Sequence, residues 1–204
     1  MPLLVASWSL VGCGPVVIDD ERVKGDSSGT TDTGDALDDD DGESSGFAGG
    51  TTDPPLLQGE FLLAVSVVID PTHPLQWHVD VADLRDGDRR TLRFELLALA
   101  LDIGGTEPGE PLGAPRSATA EVGEDGSFVL SLPQTEVLPM ANPISGSQIL
   151  ADVVLQGHVV DETLACGDVT GAITSPLMLD LLGSTFALRR IDAGGLPPLQ
   201  FACP

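Results

Sequence analysis

The chain has 204 residues, 42% of them hydrophobic, which gives room for one ordinary domain with extensions and enough apolar mass for a packed core. Residues 1–55 hold 12 acidic and 2 basic side chains out of 32 and 9 in all, so the net charge of −23 divides into −10 there and −13 on residues 56–204. A surface this negative repels phosphate backbones and anionic headgroups, which excludes nucleic acid as a partner and anionic lipid as a direct contact of the domain.

Residues 3–12 form a short apolar run that ends at Cys13. It is well below the roughly 18 apolar residues that cross a bilayer, and no other run reaches that length. Leu10-Val11-Gly12-Cys13 resembles the lipobox of bacterial lipoproteins, in which two aliphatic or small residues and a Gly or Ala precede an obligatory Cys. The resemblance implies that residues 1–12 are a lipoprotein signal peptide. It also implies that Cys13 carries a diacylglyceryl group and becomes the acylated amino terminus, and that the partner of this end is a lipid bilayer. Gly14 follows where an Asp would signal retention at the inner membrane, so the implied address is the outer membrane of the cell envelope. The family places Lys or Arg ahead of the apolar stretch. This chain has neither there, and a start upstream of Met1 would supply one.

Residues 13–55 change character, with Ser, Gly, Thr and Asp dominating positions 25–46. So little apolar surface cannot offset the entropy of ordering, and a disordered, self-repelling acidic linker is expected. As a neutral coil, its 42 residues after Cys13 would average roughly 36 Å end to end. The acidic run does not match a calcium loop: with Gly42 at the glycine position, the first and last ligand positions fall on Leu37 and Ala48. The whole arrangement of lipobox, acidic linker and β-rich domain resembles Gram-negative lipoproteins of the proteobacterial type.

From residue 56 onward, short apolar runs are punctuated by Gly, Pro and Asp. Strands are predicted at 59–69, 75–84, 90–102, 117–122, 127–132, 149–160, 168–174 and 178–190. Leu75, Trp77, Val79 and Val81 share one face of the second run, while Gln76, His78 and Asp80 share the other. Trp77, the one Trp of this region, is expected in the core. Asp86-Gly87 and Gly123-Glu124-Asp125-Gly126 supply hairpin turns, and Pro71, Pro74 and Pro111 are expected between strands. The run 90–101 has some intrinsic helix preference, but it follows a hairpin turn and reads as strand. The expected fold is all-β, an antiparallel β-sandwich or up-and-down β-barrel of about eight strands, with the sandwich first.

Three cysteines remain to be assigned. With Cys13 lipidated, Cys166 and Cys203 can pair in an oxidising compartment and close a loop of about 38 residues, worth roughly 4 kcal/mol in the chain-entropy model. The alternative is two separate thiols.

Signs of chemistry are few. No P-loop, dinucleotide fingerprint, nucleophile elbow or His-Glu-x-x-His is present, so neither a cofactor nor a catalytic residue is expected. His78 and Asp80, two apart on the polar side of a strand with Glu95 or Arg93 beside them, are weak metal candidates, as is His158. A solvated strand face explains them as well. Asp83, Asp86 and Asp88 lie among Arg85, Arg89 and Arg90, which points to internal ion pairs.

The sequence therefore predicts a membrane-anchored envelope lipoprotein with a monomeric, non-catalytic binding or structural domain, and an envelope protein as a further partner. The alternatives are a small-molecule carrier with a barrel pocket and a metal-dependent enzyme around His78 and Asp80.

Overall fold

The computed structural model describes residues 53–204. The lipobox-like run, Cys13 and the acidic segment up to residue 52 lie outside the described residues. The strands are β1 (Gly59–Val67), β2 (Asp70–Asp86), β3 (Arg89–Leu99), β4 (Pro111–Glu121), β5 (Ser127–Val137), β6 (Ile149–Asp161), β7 (Leu164–Ser175), the two-residue β8 (Leu179–Asp180) and β9 (Ser184–Arg190).

All pairings are antiparallel, in the order β4-β3-β2-β1-β9-β7-β6-β5, with β8 added beside β7. Successive strands are neighbours all the way round, and β9 returns to pair with β1, Leu63 opposite Leu188. The result is one sheet of eight main strands, nearly closed into an up-and-down barrel. Two facing sheets, the first expectation, do not form. Alternation supplies one apolar face per strand in either architecture, and the β1–β9 ladder decides for the barrel.

Local chemistry explains the strands. On β5, Phe128, Leu130 and Leu132 are buried while Val129 and Ser131 are exposed. Gly87 at φ 59° makes the two-residue β2–β3 turn, where a side chain would be strained. The prolines correct the expected boundaries. Pro71 and Pro74 lie within β2, but β3 pairs with β2 only from Trp77 onward, so their missing N–H groups cost no ladder bond on that side. Pro111 and Pro115 lie within β4, whose far edge faces β5 without a ladder. Pro133 sits in a bulge of β5 between Leu132 and Thr135.

The one open seam runs between β4 and β5. They start together, with a bridge from Val122 to Phe128 and a bond from Gly123 N–H to Ser127 O at 2.8 Å, and then part. Beyond the split, Arg116 spans the gap. Its guanidinium donates to the carbonyls of Gln134 (3.1 Å) and Pro133 in the β5 bulge. Gln134 holds φ 53°, and its N–H donates to Asp152 Oδ1 at 2.7 Å.

The two ends of the barrel differ. At one end the turns are short and Phe61, Phe94, Phe128 and Phe186 fill the interior, with ring centroids 6.0 Å apart for Phe94–Phe128 and 6.3 Å for Phe128–Phe186. Gly157 makes this packing possible, since a Cβ there would lie 2.5 Å from the Phe186 ring. The described chain also begins at this end. Arg90, almost fully buried, donates to Asp83 (Nε 3.0 Å, Nη2 2.5 Å) and to the carbonyls of Pro54 and Pro55, while Leu57 N–H donates to Asp83 Oδ2 at 3.1 Å. Arg85 pairs with Asp53 at 2.8 Å. Of the internal pairs expected in that Asp/Arg cluster, Asp83–Arg90 forms, whereas Arg85 turns to Asp53 outside it and no ion pair among the described residues involves Asp86, Asp88 or Arg89.

Cys166 and Cys203 are joined by a disulfide across 37 positions, with Cα atoms 5.3 Å apart. It holds the C-terminal tail against the outside of β7 and β9, where Thr185 Oγ1 donates to Phe201 O at 2.7 Å.

Candidate functional site

The polar candidates do not assemble. His78 projects from the outer face of β2, 3.9 Å from Glu60 Oε1, and Asp80 lies opposite Glu60 and Glu95. His158 is on β6, separated from β2 by the three strands β1, β9 and β7. Among the described residues, the one group of three metal-ligating types whose ligand atoms lie within 4.8 Å is His158, Cys166 and Cys203, and its two sulfurs are bonded to each other. The weak metal candidates His78, Asp80 and His158 are not brought together; they stand on the outside of a barrel whose inside is apolar.

The inside holds the feature of interest, a cavity of about 760 Å³ in the half of the barrel opposite the phenylalanines. Its walls are the inward faces of the strands, including Leu63, Val65, Leu96, Ala98, Ala151 and Val153. None of the four interior phenylalanines lines it. Side-chain size along the barrel axis is the cause. Aromatic rings close one half, and Ala, Val and Leu at corresponding positions leave the other half unfilled. Trp77, expected in the core, is half-buried in the cavity wall.

The mouth lies at the end with the longer connections. Ile69, Leu177 and Met178 line the cavity yet are 53%, 77% and 83% exposed, so they form its rim. Two long loops close another part of this end by bonding to each other, Leu101 N–H to Met140 O at 2.7 Å and Gly104 N–H to Pro143 O at 2.8 Å. Beside the rim, His73 donates to Asp70 Oδ2 at 2.8 Å and the Thr72 hydroxyl donates to Oδ1 at 2.8 Å; these hydrogen bonds hold the Asp70 carboxyl below the usual carboxylate range.

Polar atoms in the wall are few. The Thr135 hydroxyl is satisfied by Leu132 O at 2.7 Å. Glu136 and Arg116 are the charged residues there. Glu136 is exposed and accepts a hydrogen bond from Gln148. Arg116 stands opposite Leu96 of β3, in the same inward series as Ala118 and Ala120. The strand predicted at 117–122 begins one position too late to include Arg116, which lies within β4. The signal that could have found it is the two-residue alternation itself, carried back from Ala120 and Ala118.

A large apolar pocket with a few polar groups has the form of a small-molecule site, and its volume falls within the ~300–1,000 Å³ usual for one. The chain matches no protein-family model, no curated protein and no solved structure.

Proposed function

We propose that this chain is a non-catalytic envelope lipoprotein that carries an apolar small molecule in its barrel and is anchored to a membrane through lipid on Cys13. The observation that carries the reading is the open, apolar-walled cavity of about 760 Å³. A purely structural barrel has no use for such a void, because unfilled interior volume forfeits dispersion contacts and lowers stability. The anchoring half rests on the lipobox resemblance of Leu10 to Cys13 and the acidic segment after it. The described chain enters at the closed end, through Pro54 and Pro55, and the mouth is at the other. The enzyme reading has no observation in its favour.

Two measurements test this. The full chain should bind the neutral dye N-phenyl-1-naphthylamine saturably at one site, and Ala98→Trp, which puts an indole into the cavity, should abolish that binding. A dye that does not bind, or binds Ala98→Trp equally well, removes the carrier. Intact-mass analysis of protein extracted from membranes should show cleavage before Cys13 with added acyl mass, and an unmodified Cys13 removes the anchor.

A further inference from the structure

Arg116 is the one basic residue in the cavity wall. Its position follows from register, not from a chance excursion, because it continues the inward series of Ala120 and Ala118 and faces Leu96. No ion pair among the described residues involves it, whereas Arg85 and Arg90 are each paired. It donates to the carbonyls of Pro133 and Gln134, and no other acceptor among the described residues takes its remaining N–H groups. Glu136, the acidic residue of the wall, is exposed and engaged with Gln148. The cavity thus presents one half-buried cation with donors to spare at the edge of an otherwise apolar chamber.

We infer that the barrel binds a single-chain amphiphile with a carboxylate head, the chain lying among the aliphatic residues of the wall and the head on Arg116. This rests on the carrier reading and specifies its ligand. The chemistry selects the head. A guanidinium offers a planar pair of donors that fits a carboxylate. One cation balances one negative charge, whereas a phosphate monoester brings roughly −1.5 to −2 and finds no second cation in the wall. The domain's net charge of −13 opposes any anion, but beyond about 8 Å that repulsion is screened at physiological salt. A contact ion pair at the rim of an apolar cavity is screened far less, so the local cation prevails. The seam contributes too. The split between β4 and β5 places Arg116 where a head can reach water while its chain lies inside.

Arg116 also spans the seam, so a variant alone would not separate binding from structure. The test therefore changes the ligand as well as the protein. Dodecanoate and dodecanol compete at neutral pH with N-phenyl-1-naphthylamine bound to the full chain, in wild type, Arg116→Gln and Arg116→Lys, with a circular dichroism melt for each variant. Dodecanol is the more hydrophobic and would win in a site that reads only apolar surface. Dodecanoate is expected to displace the dye from wild type at about tenfold lower concentration than dodecanol. Arg116→Gln should erase that preference while leaving dodecanol unchanged, and Arg116→Lys should keep part of it. Equal displacement by the two ligands in wild type overturns the inference and leaves the carrier standing, as does a preference that survives in Arg116→Gln. A dye that does not bind wild type overturns both.

Discussion

Two leucines, one on each side of the boundary between filled and hollow barrel, give a test that needs no ligand. Leu96 and Leu130 are both inward-facing and buried, at 5% and 1% exposure. Leu96 lines the cavity and Leu130 does not. Truncation of a buried leucine to alanine costs the transfer energy of the lost methyl groups plus a term for the new void, ~2–5 kcal/mol in all. At Leu130, which is buried and does not line the cavity, both terms apply, and the expected cost is about 4 kcal/mol. At Leu96 the side chain already borders empty space, so few contacts are lost and the expected cost is about 2 kcal/mol. For a domain of this size, each kcal/mol shifts the melting temperature by ~2–4 °C, so Leu130→Ala should melt roughly 4–8 °C below Leu96→Ala. Thermal and urea unfolding of the two variants measures this directly. Equal losses would mean that the hollow half is packed in solution, and the argument from cavity to carrier would fail.

Asp83→Ala should be strongly destabilising, by ~3–5 kcal/mol, since it leaves the buried Arg90 guanidinium without its counter-charge and frees Leu57 N–H; a loss below about 1 kcal/mol in urea unfolding would contradict the buried pair. Cys203→Ser opens a loop spanning 37 positions and should cost roughly 4 kcal/mol, while wild type under reducing conditions should melt near the variant's temperature. Hydrogen bonds from Thr163 lower the folded-state titration of Asp161. Its contribution to stability is then fully present above the usual carboxylate range and is lost as pH falls through the depressed folded value. Asp161→Asn should therefore lower stability at neutral pH and converge with wild type in acid, which flattens the acid limb of the stability–pH curve, and an unchanged acid limb would refute the assignment.

The sequence by itself determined the strands and what separates them. Leu75, Trp77, Val79 and Val81 alternate with polar neighbours, and Gly87 and Gly126 provide the left-handed turn positions that those neighbours require. It also carried Cys166 and Cys203 as the pair left once Cys13 was set aside. The prolines misled at the boundaries, because whether a missing N–H matters depends on which edge of a strand is paired. That is a tertiary fact, seen at Pro71 and Pro74, where β3 has not yet begun. Closure was likewise beyond local pattern. Alternation states which side of a strand is inside, but the ladder from β1 to β9 joins residues more than a hundred positions apart, and it alone separates a barrel from two sheets. The cavity and Arg116 belong to the same class. A residue's size acts through its height on the barrel axis, so four phenylalanines at one end and Ala98, Ala151 and Val153 at the other become a plug and a chamber only after the sheet has curled.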